Sequence, residues 1–308
     1  MFAFFANIFG YLLKLLYNLV NNYGFAIILF TITIKLLLLP LSIKQQKTMK
    51  KSSKIQEKMK AIQFKYKNDP EKMNKEVMNL YKEEKMSPFS GCLTAIIQLI
   101  LLLSIFYLVR NPITYMQKLP KEDINNYVTQ LQENGKITNK VYAEIDLIRE
   151  YNWLKEQNPD NGKIDELNLQ MNFLGLDLSK VPQQNMNDFT VYIIPVLYII
   201  SSFISIRMST KMQQEQMKIK KDVEVENVEN NEIEPNNKDK ELIKAKDEKD
   251  EVDSVMQTNK MMSWMMPIMS ISIAFVAPLG LALYWFVNNV LMIAERLILN
   301  KTIRLEEE

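Results

Sequence analysis

The sequence predicts an all-α integral membrane protein of five transmembrane helices. Three observations lead there. Apolar residues come in blocks long enough to cross a bilayer rather than at the spacings of a soluble core. Between the blocks lie strongly charged stretches, so a formal net charge of only +2 hides a sharp segregation of charge along the 308 residues. Within the first long block, Phe25 to Ile43, stands one charge, Lys35. It lies roughly 12 Å of helix from the end of that block, and in hydrocarbon it would cost about 3 kcal/mol. Lys35 is therefore expected to face a polar or hydrated cavity inside a helix bundle.

Residues 1–23 are read as a retained N-terminal amphipathic interfacial helix. They lack the basic start and cleavage site of a secretory signal, and Phe5, Ile8, Phe9, Leu12, Leu15, Leu16 and Leu19 share a face. Residues 24–43 form the first span. Residues 44–86 hold 13 lysines against 6 acidic residues, which puts this loop in the cytoplasm and the N-terminus outside. Within 44–87, Ile55, Met59, Ile62 and Tyr66, and then Met73, Val77, Leu80 and Tyr81, repeat at helical spacing on either side of Asn68-Asp69-Pro70. A basic helical hairpin is the expected result, with Pro70 in a first helical turn.

The second span is 88–109, carrying Cys92 and Gln98. Residues 110–188 form an extracytoplasmic loop region with some helix, whose segment Phe173 to Leu178 is too short to cross and is expected on the outer membrane surface. Span three is 189–208. Residues 209–260, rich in Glu, Asp, Lys and Asn, read as a disordered cytoplasmic linker. The last apolar block is nearly twice one crossing and must fold back at Pro278-Leu279-Gly280, giving spans 261–277 and 279–299 and a cytoplasmic tail, 300–308. The methionines between Met261 and Met269 suit core packing or an adaptable contact.

Composition also excludes. The chain has no histidine and one cysteine, which removes imidazole catalysts, most zinc sites and an intramolecular disulfide. No span holds an aspartate, as an aspartyl intramembrane protease requires, and no glycine-rich phosphate loop marks a nucleotide site. No enzyme activity and no cofactor are expected. A small-molecule or ion transporter or channel remains the alternative, although no internal repeat supports it.

Four pieces, Thr31-Ile-Thr-Ile-Lys-Leu-Leu-Leu-Leu-Pro-Leu41 followed by Lys44-Gln45, Pro88-Phe-Ser-Gly-Cys92 leading to Gln98, Phe173-Leu-Gly-Leu-Asp-Leu178, and Pro278-Leu-Gly-Leu-Ala-Leu-Tyr-Trp285, occur in an order and topology that resembles the YidC/Oxa family of membrane protein insertases. The resemblance implies five helices around a hydrophilic groove open to the cytoplasm and a function in inserting and folding new membrane proteins. It places Lys35 where most members have arginine, with Gln98 and Trp285 also lining the groove. Tyr284 and Trp285 equally suit a membrane boundary. Where the family often has a glutamine pair near the end of span five, this chain has Glu295-Arg296. Glu295 is expected either to approach Lys35 or to form a local surface pair. Implied partners are nascent membrane proteins and the lipid bilayer, with the Sec translocon, and the ribosome through basic loop 44–86, as further candidates. That loop's charge suits RNA phosphate and anionic lipid alike. The implied location is the bacterial cell membrane, with the C-terminus cytoplasmic.

Overall fold

The computed structural model describes residues 2–66, 69–84, 90–137, 140–229 and 273–305, with backbone alone for 49–57, 60, 64, 90–95, 98, 212–229 and 300–305. Helices dominate it. The long ones are α1 (Phe2–Val20), α2 (Tyr23–Lys65), α3 (Pro70–Glu83) and α4 (Ser90–Arg110). After the region that follows α4 come α8 (Ile193–Glu229) and α9 (Leu279–Leu305). Among the described residues, four stretches are long and apolar enough to cross a membrane: Phe2–Val20, Tyr23–Thr48, Phe189–Lys211 and Leu279–Leu299. α4, with 21 residues, coincides with the expected second span. Of the expected fourth span only 273–277 is described. There 273–276 is helical, and the chain breaks at Ala277-Pro278 before α9 begins.

α2 has 43 residues and continues through Pro40. At 1.5 Å per residue it is about 65 Å long, twice the hydrocarbon thickness of a bilayer, so its C-terminal half must lie outside the apolar layer. The lysine-rich sequence begins at that half. The first arm of the expected hairpin is thus not a separate helix but the continuation of span one. The second arm is α3, started by Asp69, whose side chain accepts the Lys72 N–H, with Pro70 in the first turn. The arms close through buried Leu80, through Tyr81 donating to the Met59 sulfur at 3.9 Å, and through Lys58 bound to Glu84 at 2.5 Å.

One expectation is corrected at α8. Residues 209–229, assigned from composition to a disordered linker, continue the helix of span three. Their Gln, Glu, Lys and Met are good helix formers, and a helix already nucleated upstream extends through such residues at little cost. The rest of that linker lies outside the described residues.

The region between α4 and α8 is a packed domain rather than a loop. A π-helical turn (Ile113–Gln117) follows α4, then α5 (Lys121–Glu133), α6 (Ala143–Arg149) and α7 (Tyr151–Gln157). Ile124, Tyr127, Val128 and Leu131 recur at helical spacing on α5 and are buried with Leu147, Leu154, Ile164 and Leu167. Glu144 on α6 ties this domain to the π-helical turn, accepting from the Thr114 N–H at 2.9 Å and the Thr114 hydroxyl at 2.5 Å. Burial outweighs those bonds and pushes the Glu144 carboxyl above its usual range.

Phe173 to Leu178 forms a two-stranded hairpin, β1 (Asn172–Phe173) against β2 (Leu176–Asp177). Its turn residues Leu174 and Gly175 both have positive φ, 50° and 82°, as a two-residue hairpin of this hand requires. This short segment joins two spans. The Tyr23 N–H at the start of α2 donates to the Gln170 carbonyl, and the Asn22 side chain donates to the Asn172 carbonyl. At the start of α9 the Leu279 and Gly280 N–H groups donate to the Lys180 and Leu178 carbonyls. Helix N-termini leave their first N–H groups unpaired, and here the hairpin segment supplies the acceptors.

α1 runs along this same end of the molecule. Phe2 stacks on Tyr107, Lys118 donates to the Asn7 backbone and side chain, Lys14 faces Glu166 at 3.9 Å, and the Tyr17 hydroxyl accepts from the Gln170 N–H. Gly10 lies against the π-helical turn, where an added Cβ would sit 1.8 Å from the Tyr115 carbonyl oxygen. Its outer stripe, Phe4, Ile8, Tyr11, Leu15 and Leu19, is exposed and apolar.

Two outcomes are expected. Gly10→Ala forces α1 off a rigid backbone and lowers stability by about 1–3 kcal/mol, whereas Gly162→Ala, which meets nothing within 4 Å, leaves it unchanged; thermal unfolding of the full chain in detergent reads the difference. Asp188 accepts from Lys180 at 2.8 Å and from the Thr190 side chain and backbone, and these bonds hold its carboxyl down to about 2. A depressed carboxylate contributes stability above its unfolded value of about 4, lost as pH falls toward the folded one. Amide exchange at 189–193 should therefore speed up between about pH 4 and about pH 2, and Asp188→Asn should abolish that pH dependence.

Candidate functional site

α2, α4, α8 and α9 each turn one face toward a shared cavity of about 410 Å³. From α2 come Thr31, Ile34, Lys35, Leu38, Leu41, Ser42 and Gln45, a helical stripe of mixed polarity. α4 gives Ile97, Leu101, Leu102 and Ile105. α8 gives Tyr198, Ser202, Ser205 and Ile206, and α9 gives Tyr284, Asn288, Asn289, Met292, Glu295 and Arg296. The apolar contribution is thus greatest from α4, and the charge comes from α2 and α9.

The cavity is closed at the end where α2 and α9 begin. Tyr23, Ala26, Ile27 and Phe30 on α2 and Leu279, Leu281, Ala282 and Leu283 on α9 are buried there, and the Tyr23 hydroxyl donates to the Val109 carbonyl at 3.3 Å. Toward the other end the lining becomes polar: Ser42, Gln45 and Gln46 on α2 and Glu295 and Arg296 on α9.

Lys35 Nζ donates to Glu295 Oε2 at 3.3 Å, across a sequence separation of 260 residues. The two side chains are 23% and 14% exposed, so most of each is out of solvent. Of the two arrangements open from the sequence, the cross-helix pair is the one observed. One residue on, Arg296 Nη1 donates to the Ser205 carbonyl at 3.3 Å and to its hydroxyl at 3.4 Å. About two helical turns back along α9, the Asn289 amide donates to the Ser202 hydroxyl at 2.7 Å and that of Ser201 at 3.4 Å. The Thr31 hydroxyl is satisfied locally by the Ile27 carbonyl at 2.6 Å. No buried side-chain nitrogen or oxygen among the described residues lacks a partner.

The expected site residues separate as follows. Lys35, Glu295 and Tyr284 line the cavity. Trp285, one step further round α9, packs its ring on Tyr198 at 5.7 Å between centroids and is not among the lining residues. The Gln98 side chain and that of Cys92 lie outside the description, although the neighbours of Gln98 on α4, Ile97 and Leu101, face the cavity. Sequence reasoning missed the Ser201, Ser202, Ser205 ladder, the Asn288-Asn289 pair and the role of Arg296 in the lining. The signal was present: polar residues at steps of three, four and seven inside an otherwise apolar span mark a face turned to protein rather than lipid. Among the described residues no cluster of three or more histidine, cysteine, aspartate or glutamate side chains could hold a metal ion.

The family model described as 60Kd inner membrane protein matches residues 15–225 and 236–307. A membrane protein insertase YidC of Caldanaerobacter subterraneus is 46% identical over 101 residues, covering 33% of this chain and 49% of that protein. A membrane protein insertase YidC of Francisella tularensis subsp. novicida is 38% identical over 117 residues, 38% of this chain and 21% of that protein. The chain thus spans half or less of the length of these curated relatives. With the family model matched over most of its length and its apolar helices assembled around one cavity, the chain is a multi-pass membrane protein that belongs to the 60Kd inner membrane protein family, the YidC/Oxa family.

Proposed function

We propose that the chain is a membrane protein insertase and chaperone, and that its cavity is a hydrated groove, open to the cytoplasm, which receives the polar flank of a client segment. The observation that carries this reading is the Lys35–Glu295 pair set in a cavity of mixed polarity among apolar helices. An unpaired lysine in hydrocarbon costs about 3 kcal/mol, and a pair placed there without a use would be an expense that apolar packing avoids.

By the positive-inside rule the lysine-rich half of α2 and α3 are cytoplasmic, which turns the polar end of the cavity to the cytoplasm and the packed end outward. α1, the domain of α5 to α7 and the β1–β2 hairpin then lie outside, with α1 along the outer interface. A client enters from the cytoplasmic side. Its polar flank exchanges water for Ser42, Gln45, Asn288 and the charged groups, and so crosses part of the bilayer without entering hydrocarbon. Its apolar segment meanwhile moves along the lipid-facing surfaces of the bundle, driven by about 25 cal/mol per Å² of apolar area removed from water. Gln98 would extend the polar wall of the same path, and Trp285 would back the wall through Tyr198, on which it packs. No hydrolysis enters this scheme: the transfer free energy of the client does the work. The clients are nascent membrane proteins, and the basic hairpin offers its charge to anionic lipid, to the ribosome, or beside the Sec translocon.

Full-length protein reconstituted in liposomes should insert a small single-span client without nucleotide, well above empty liposomes; equal insertion by both would overturn the reading. Lys35→Met should lower insertion more than Lys35→Met combined with Glu295→Gln, because the single change strands a carboxylate out of solvent while the double removes both charges.

A further inference from the structure

Resting on the placement of α1 along the outer interface, we propose that α1 and the turn after α4 form a site for an anionic phospholipid of the outer leaflet, with Lys118 and Lys14 on its phosphate and the apolar stripe of α1 along its acyl chains. The stripe, Phe4, Ile8, Tyr11, Leu15 and Leu19, is exposed. Steps of three and four residues keep it on one face, along about 22 Å of helix. Acyl chains can cover such a stripe, but they do not select a headgroup. Two cations beside it do.

Lys118 follows the π-helical turn with a left-handed φ of 64°, and its backbone N–H closes that turn on the Ile113 carbonyl. From there its side chain reaches α1. Nζ lies 4.3 Å from the centre of the Tyr11 ring and donates to the Asn7 carbonyl at 3.1 Å and to Asn7 Oδ1 at 2.9 Å. The ammonium is thus held by neutral groups at the border of the apolar stripe, and of its three N–H donors these bonds use two. Lys14 stands one helical turn beyond Tyr11, with Glu166 at 3.9 Å, the outer edge of ion-pair distance.

The two cations act on one another. Burial, and then the charge of Lys14, hold the Lys118 ammonium below its usual range. No carboxylate among the described residues stands within ion-pair distance of Lys118, so an anion that relieves this repulsion comes from outside the chain. A phosphodiester meets the need, because compact ammonium groups suit phosphate oxygens. In a lipid that phosphate sits where headgroup meets acyl chain, the level at which an amphipathic helix lies. A soluble anion would match the charge and leave the stripe uncovered.

The test uses the full chain in nanodiscs, carrying Cys92→Ser and a fluorescent label on Leu15→Cys. Quenching by brominated phosphatidylglycerol, present as a minor component, is compared with quenching by brominated phosphatidylcholine at the same fraction. Phosphatidylglycerol should quench several-fold more effectively. Lys118→Asn should lower that preference about fivefold, the worth of one lysine on an anionic surface; asparagine tolerates the left-handed conformation, so the backbone is kept. Adding Lys14→Gln should abolish the preference, and Lys118→Arg should keep most of it. Should the double variant fail to fold, Lys14→Gln alone, which removes one long ion pair, should still lower the preference severalfold. Equal quenching by the two lipids in the parent protein, or an unchanged preference in the double variant, would overturn the proposal. A preference abolished by millimolar inorganic phosphate would make the occupant a free anion and overturn it as well. Quenching by neither lipid would remove α1 from the membrane and defeat the placement on which the proposal rests, while client insertion in liposomes still tests the insertase reading by itself.

Discussion

A charge inside an apolar helix bundle has to be answered by another group on the protein, and in this chain the answer is the contact between Lys35 and Glu295. It joins α2, near the start of the sequence, to α9, near its end. Once these two helices are held side by side, the polar stripe of α2 and that of α9 must face one another, and α4 and α8 complete the walls. The alternative packing, with either charge turned to lipid, costs several kcal/mol. The pair thus helps set the rotation of both helices, and with it which residues line the cavity.

The closed end depends on a different constraint. The first turn of a helix leaves its N–H groups without intrahelical acceptors, and a packed end must supply them. The segment around the β1–β2 hairpin meets that need for α2 and α9 together, through the carbonyls of Gln170, Leu178 and Lys180. Phe173 packs its ring where a side chain on Gly24 would stand, 2.4 Å from any Cβ, and meets Phe25 edge to face at 5.0 Å between centroids. A short stretch of irregular backbone therefore seals one end of the bundle, while the other end, with no such cover among the described residues, keeps its serine, glutamine and arginine side chains around the cavity.

The long apolar helices α2, α8 and α9 were legible because hydrocarbon thickness imposes a length on apolar segments, and length is visible in one dimension. The turn at Pro278 and the cap at Asp69-Pro70 were legible because backbone chemistry is local. The helical continuation through 209–229 was not: composition rich in charge describes a disordered chain and an exposed helix equally well, and the difference lies in the nucleus that α8 provides. The packed domain of α5 to α7 was also understated, because its apolar residues sit in short helices whose faces acquire meaning only against one another.

In the site the division is sharper. Lys35 declared itself by the cost of its surroundings, and Glu295 only as a departure from the glutamine pair that the family often has there. That they meet, that Tyr284 rather than Trp285 lines the cavity, and that Arg296 donates to Ser205 were decided in three dimensions. The sequence by itself determined which residues could not be left in lipid, because that is a property of each side chain and the apolar run around it. Only the tertiary structure decided which charged and polar groups pair with one another, because pairing depends on distances between helices that the chain brings together from 260 residues apart.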